Sequence, residues 1–379
     1  MPRKKIRIIL FLLVSFFFVI FLALLFYKND YQKIYVLGGY AVPGEKWQRQ
    51  FSSDYTESAE YISGESKHSP MRGPRNAHIK HQAHNAQGEA IFDVDYFYDN
   101  FGRRVVEQSE NFTKKNLNKK FALFFGCTDL LGTGIDSIDT IPALFSKKIP
   151  EYTSYNYGFP LSAAQSVNRL AETIDYKAEV AEKSGLFIYV LSSGHYPRSF
   201  ERVLPAVLTE MPRYEFEKKN LAYFNANENI PLPTFLSELE QSKLKYLGTL
   251  NEISPLLSWF KMYFSLSNMG ALFGPDNFDN YTYNEHRLVC ALIKTAQLNF
   301  LRQFPDSRFI ILLHQILPLY ERNHLVRCAK AANIEYIDAF TPSSADSFMA
   351  PPLYIYPLPL VNNMVVDKLV EHLKTTPNN

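Results

Sequence analysis

Hydrophobic positions along this chain fall into two regimes that meet near residue 120. Beyond it, short unbroken apolar runs alternate with longer stretches whose apolar residues recur every three or four positions. Residues 121–125 (FALFF), 186–191 (LFIYVL) and 308–314 (RFIILLH) are such runs, and strands covered on both faces of a parallel sheet read this way. Residues 153–157 and 334–337 supply two further short strands. Helical spacing marks 140–148, 162–183 and 361–373, with Ala, Val, Leu and Ile on one face of the second. The alternation predicts an α/β fold, a three-layer α/β/α parallel sheet over 120–375 with right-handed crossovers.

The stretch before residue 120 reads differently. Residues 8–27 carry no charge and are almost wholly Ile, Leu, Phe and Val, which matches the roughly 20 residues a helix needs to cross a bilayer. Arg3, Lys4, Lys5 and Arg7 precede it. Cations of that kind stay in the cytoplasm, so residues 1–29 read as a basic tip and a transmembrane anchor, single-pass, with the rest extracytoplasmic. No A-x-A site closes the run, which argues against a cleaved signal peptide. Ser, Gly, Pro, Gln and charged residues dominate 38–88, so 30–119 reads as a solvated stalk or covering arm. Within it, 90–98 (AIFDVDYFY) alternates like a strand. Asp99-Asn100-Phe101-Gly102 supplies a turn, and 103–106 is expected to return as a hairpin.

Between the third and fourth core strands, about 200–305 is too long for a crossover helix alone and is expected to form a helical insert. Residues 253–273 are apolar, but Lys261 within them is costly in a bilayer, so they read as an amphipathic lid over the sheet's carboxyl edge.

Composition changes this picture little. A chain of 379 residues with 46% hydrophobic content can bury one large core. A formal net charge of +2 gives no reason to expect a nucleic-acid partner. Three cysteines, Cys127, Cys290 and Cys328, leave pairing open, and the last two read as small buried apolar residues. His78, His81 and His84 recur at every third position, but an irregular polar loop would leave them solvated. No metal and no cofactor is expected.

The chemistry gathers where the first core strand ends. Gly126 closes it, and Cys127, Thr128 and Asp129 sit at its carboxyl end, the edge where ligands bind in open α/β sheets. Gly132 and Gly134 allow the tight backbone that leads into the next helix. Acyl chemistry at such an edge needs a nucleophile, a histidine to take its proton, an orienting carboxylate and donors for the oxyanion.

The stretch Gly126-Cys127-Thr128, Leu130-Leu131, Gly132-Thr133-Gly134-Ile135 resembles the first block of the SGNH/GDSL hydrolases, whose Gly-Asp-Ser or Gly-Cys-Ser is followed by a hydrophobic pair and Gly-x-Gly-Val. On that resemblance Thr128 holds the nucleophile position. Asn156-Tyr157-Gly158 is similar to the second block and implies Gly158 in the oxyanion hole. Gly194-His195-Tyr196-Pro197-Arg198 is similar to an Asp-His-x-x-Arg third block, with glycine in place of aspartate. The last block's acid and histidine correspond to Tyr354 and Tyr356.

The resemblance implies ester hydrolysis or acyl transfer on a cell-surface carbohydrate or lipid. With Thr128, Tyr354 and Tyr356 at the three triad positions, a catalytically inactive, membrane-anchored module that binds glycans or an envelope partner is the alternative. A third arrangement takes His195 as base with Thr128 or Cys127 as nucleophile. Asp129 and Asp136 read as turn caps, and His314 as a core histidine.

Overall fold

The structure is a computed structural model that describes residues 46–52, 55–63, 71–85, 87–106, 119–160, 162–192, 195–199, 212–217, 220–224, 283–314, 319–339 and 359–376. The expected membrane span at 8–27, the lid at 253–273, and Tyr354 and Tyr356 lie outside these residues. Among the described residues, no helix is long and apolar enough to cross a membrane.

Five strands build the central sheet: β5 (Lys120–Gly126), β6 (Tyr152–Gly158), β7 (Gly185–Leu191), β10 (Arg308–Leu313) and β11 (Glu335–Asp338). All are parallel, in the order β11-β10-β7-β5-β6. This is the flavodoxin-like order, in which chain direction across the sheet reverses between the first and third strands. The expected parallel α/β sheet is present, and its reversal point lies between the ends of β5 and β7.

Strand residues alternate between two cores, as a period of two requires. Phe121, Leu123 and Phe125 with Phe187, Tyr189 and Leu191 pack against α3 (Ala164–Thr173), α5 (Tyr283–Gln303) and α6 (Leu319–Ala331). On the opposite face Ala122, Phe124, Ile188 and Val190 meet α2 (Ile141–Lys148) and α7 (Pro359–Thr375). Three layers result. Gly185 must lack a side chain, because a Cβ there would lie 2.0 Å from the Phe121 carbonyl oxygen.

Several elements depart from the sequence reading. The helix expected over 162–183 stops at Thr173 and is followed by a 3₁₀ turn, Tyr176–Ala178. Side chains there offer the backbone other partners. Tyr176 N–H donates to Gln303 Oε1 (3.0 Å), Gln303 Nε2 donates to the Ile174 carbonyl (2.8 Å), and Lys177 N–H donates to Asp175 (3.1 Å). The insert, expected to be helical, contains the antiparallel pair β8 (Arg213–Glu217) and β9 (Asn220–Phe224) besides α5.

The arm differs most. Instead of a solvated stalk, β1 (Lys46–Ser52), β2 (Tyr55–Ser63), β3 (His78–Asn85) and β4 (Ala90–Phe97) form a four-stranded antiparallel sheet. β4 pairs along its length with β3 upstream, and 103–106 returns antiparallel only beside its end, as expected: Arg104 bridges Tyr98, Val105 N–H donates to the Phe97 carbonyl at 2.7 Å, and Arg104 also bridges Asn156. His78, His81 and His84 sit on β3 and not in an irregular loop. His81 is buried with Nδ1 2.9 Å from Tyr96 Oη, and His78 pairs with Asp95. Polar strands hid this sheet, since one face must be covered for an alternating pattern to show; among the described side chains Ala77, Ile79, Val94, Tyr96 and Tyr98 form an apolar cluster on it, with Phe92 packed against them.

Cys290 and Cys328, expected as separate buried residues, are joined as a disulfide with Cα atoms 5.5 Å apart. Their spacing in the fold falls within the range a disulfide accepts. Sequence separation alone carried no sign of it.

Candidate active site

At the reversal point the carboxyl ends of β5 and β7 present two short segments to each other. After β5 comes α1 (Thr128–Leu131), with Cys127 just before it and Gly132 closing it in the left-handed conformation. After β7 come Ser192 and α4 (His195–Arg198). Close approach is enforced by glycine: a Cβ on Gly126 would lie 3.0 Å from the Val190 carbonyl oxygen, and one on Gly158 would lie 2.4 Å from Leu131 N. The two turns thereby share one small volume.

A line of side chains crosses it. Tyr189 Oη lies 3.2 Å from His195 Nδ1, His195 Nε2 lies 3.2 Å from Ser192 Oγ, and Ser192 Oγ lies 3.3 Å from Cys127 Sγ. Arg198 Nη2 points at the same sulfur from 3.8 Å, and the Cys127 S–H donates to Asp129 Oδ2 at 3.6 Å. The elements are buried, with Cys127 at 3%, Ser192 at 1% and His195 at 0% exposure. His195, expected as a base for Thr128 or Cys127, is linked to Cys127 through Ser192.

Burial is the largest influence on the Cys127 thiol and raises its pKa. The Arg198 charge and hydrogen bonds from Ser192, the Asp129 backbone and Arg198 more than offset it, so the thiol lies below its ordinary value. Burial, then the neighbouring thiolate, pushes Asp129 up to about 6. Burial and then Arg198 hold His195 well below the usual histidine range, so the ring is neutral near pH 7. His314 at the end of β10 is fully buried and likewise depressed, to about 4, chiefly by burial.

Thr128 occupies the first position of α1 and is half-buried. Its hydroxyl makes no hydrogen bond among the described residues, so none of their imidazoles stands ready to take its proton. Gly158, expected in the oxyanion hole, ends β6 beside α1, and its N–H donates to Asn156 Oδ1 at 2.8 Å. Asp129, expected as a cap, lies inside the first turn of α1, where Cys127 holds the cap position, and Asp136, at the start of the 3₁₀ turn Ser137–Asp139, makes no side-chain capping bond.

Two contributors escape sequence reasoning. Ser192 lies three residues before His195, whose N–H donates to the Ser192 carbonyl at 3.3 Å while the two side chains meet. Arg104 comes from the arm and is 2% exposed. Its Nη1 donates to the Leu131 carbonyl at 2.7 Å and its Nη2 to the Ile135 carbonyl at 2.6 Å, while its guanidinium carbon lies 4.2 Å from the Tyr96 ring centroid. Tyr96 Oη in turn accepts from Gly134 N–H at 2.7 Å. The small sheet thus fixes the backbone that follows Cys127. Among the described residues no group of three or more His, Cys, Asp or Glu is assembled to hold a metal ion.

No family profile matches this chain, and no curated protein does. Among solved structures it is similar to a member of the lipolytic protein G-D-S-L family from Veillonella parvula, at 13% identity over 68% of this chain and 100% of that one, with a TM-score of 0.35. It is also similar to an acetyl xylan esterase from Butyrivibrio proteoclasticus, at 8% identity over 68% of this chain and 64% of that one, with a TM-score of 0.36. A family two carbohydrate esterase from Clostridium thermocellum, solved with cellohexaose, gives 7% identity over 78% of this chain and 75% of that one, with a TM-score of 0.38.

Proposed function

We propose that this chain is an SGNH-hydrolase-like protein that performs ester hydrolysis or acyl transfer on a cell-surface carbohydrate or lipid, with Cys127 as its nucleophile in place of Thr128. The observation that carries this is the continuous line from Cys127 Sγ through Ser192 Oγ to His195 Nε2 at the reversal point of the sheet. An anchor at 1–29 would hold the domain at the membrane, and a disulfide between Cys290 and Cys328 fits an oxidising compartment outside the cytoplasm.

In this reading the sulfur attacks the acyl carbonyl carbon, a C–S bond forms and the bond to the alcohol oxygen breaks. The S–H turns from Asp129 to Ser192, its proton passes to Ser192 as that hydroxyl gives its own to His195 Nε2, and the leaving alkoxide then takes a proton from the imidazolium. Water, or an acceptor hydroxyl, next attacks the thioester; its proton goes to His195 and the thiol is restored. Arg198 favours the thiolate, and neutral His195 is an empty acceptor.

A second reading has its own observations. Burial of Cys127 and the commitment of the Gly158 amide to Asn156 favour a binding module for acylated glycans without turnover. Purified full-length chain in detergent with p-nitrophenyl acetate separates the two. Saturable turnover that disappears in Cys127→Ala and survives in Thr128→Ala is expected. Turnover lost in Thr128→Ala and kept in Cys127→Ala would move the nucleophile back to the hydroxyl. No saturable turnover in the wild-type chain would leave the binding module as the reading to keep.

A further inference from the structure

A tetrahedral adduct on Cys127 puts a negative charge into a volume that already holds a buried carboxylate. Asp129 is 7% exposed and accepts the Cys127 S–H at 3.6 Å. An oxyanion formed there is stabilised by donors and positive charge aimed at it in advance. The amides that β6 brings to this edge already have acceptors: Gly158 N–H donates to Asn156 Oδ1 at 2.8 Å, and Asn156 Nδ2 donates to the Leu130 carbonyl at 3.0 Å. Ser192 Oγ and Tyr189 Oη belong to the line of contacts through His195. The cation at this edge comes from α4.

On the reading that Cys127 takes the acyl group, we propose that Arg198 is a catalytic residue of the same site, its guanidinium supplying the N–H donors and the positive charge for the oxyanion. Arg198 Nη2 lies 3.8 Å from Cys127 Sγ. An acyl oxygen sits two bonds from the sulfur that carries it, so on the Arg198 side it comes within the roughly 2.7–3.1 Å at which an oxyanion donor acts. A guanidinium is a rigid, permanently charged fork of N–H groups, and it suits an oxygen whose charge appears only as the C–S bond forms. As the sulfur attacks, the carbonyl π pair moves onto that oxygen. When the pair returns, the C–O bond to the alcohol breaks and the alkoxide leaves with the imidazolium proton. Arg198 gives up no proton in either step.

The fork is held before substrate arrives. Gln165 Nε2 on α3 donates to the Arg198 carbonyl at 2.9 Å. Ser199 Oγ, one residue on, donates to the His195 carbonyl at 2.7 Å and accepts from Ala164 N–H at 3.2 Å. These bonds clamp the end of α4 to the start of α3, so the base and the guanidinium keep one spacing. Arg198 is half-buried whereas Cys127 is 3% exposed, which places the side chain between the surface and the sulfur.

The test uses full-length chain in detergent and a trifluoromethyl ketone, whose carbonyl carbon accepts Cys127 Sγ while its oxygen stays bound as the anion. The thiol proton passes through Ser192 to His195, and fluorine NMR reads the adduct. All chains are compared above their own thiol midpoints, so that a change in thiol pKa alone moves nothing. Expected is a wild-type adduct that weakens by about 100-fold or more in Arg198→Gln. Arg198→Lys should lose less, since it keeps the charge with a shorter reach. Iodoacetamide alkylation builds no oxyanion and should reach the same plateau rate in all three chains. Equal adduct affinity in wild type and Arg198→Gln would overturn the proposal and leave Cys127 as nucleophile. So would an alkylation plateau that falls as far as the adduct affinity does, because the loss would then lie at the sulfur. No adduct in wild type, or one that persists in Cys127→Ala, would remove the Cys127 reading and the role of Arg198 with it.

Discussion

The guanidinium of Arg198 lies 3.8 Å from Cys127 Sγ, and this contact is the strongest influence that lowers the thiol's pKa against its burial. Removing the charge should let burial prevail. In Arg198→Gln the midpoint for thiolate formation, followed by absorbance in the ultraviolet or by the pH dependence of iodoacetamide labelling, is expected to move upward relative to wild type. Arg198→Lys should recover part of the shift, since it keeps the charge without the guanidinium's reach. An unchanged midpoint in Arg198→Gln would mean that Ser192 and the Asp129 amide suffice.

The sheet was legible in the sequence because strands covered on both faces must be apolar throughout, and 121–125, 186–191 and 308–314 leave no other reading. The reversal point follows from strand order, and strand order places 126–129 at that edge of the sheet. Ser192 was not, because a lone serine after a strand has no pattern of its own; its contact with His195 exists only in the folded chain. Arg104 and the arm sheet were hidden for another reason. Strands such as β1 (KWQRQFS) are polar, and a buried arginine gives no local signal, since its three carbonyl partners lie 27 to 31 residues away. The disulfide likewise depends on helix register, which the spacing of two cysteines cannot supply.

Asp129 links stability to pH. Its folded-state pKa is raised to about 6 from 3.8, so the native state holds this proton more tightly than the unfolded chain does. The resulting stability is fully present below about pH 4 and is lost as pH rises through about 6, by about 3 kcal/mol. Asp129→Asn removes that dependence. Urea unfolding at pH 4.5 and 7.5 should therefore show the variant gaining on wild type at the higher pH; parallel changes in both proteins would exclude Asp129 as the source.

Arg104 joins the arm to the turn after Cys127 through the carbonyls of Leu131, Gly132 and Ile135. Loss of the side chain leaves buried acceptors without donors, each worth about 1–3 kcal/mol. Arg104→Met should cost about 3–5 kcal/mol in chemical denaturation. Arg104→Lys should recover little, because a single ammonium does not span three carbonyls as the planar fork does. A loss below about 1 kcal/mol would show that these bonds exchange readily with water.

Gly132 tests how tightly that turn is held. It adopts a positive φ of 81°, and a Cβ there would lie 2.6 Å from Thr140 Cγ2 and 2.9 Å from Arg104 Nη1. Gly88 has the same φ, +81°, with nothing within 4 Å. Alanine at Gly88 therefore meets only the left-handed backbone cost of about 1–2 kcal/mol. Alanine at Gly132 meets that cost and displaces Arg104 or Thr140 as well. The difference between Gly132→Ala and Gly88→Ala in urea midpoint isolates the packing around the turn. Gly132→Ala is expected to be the more destabilising, and to lower cysteine labelling selectivity at Cys127 by loosening α1. Equal losses at the two positions would mean that the turn relaxes freely, and the arm would then have no hold on the residue beside the sulfur.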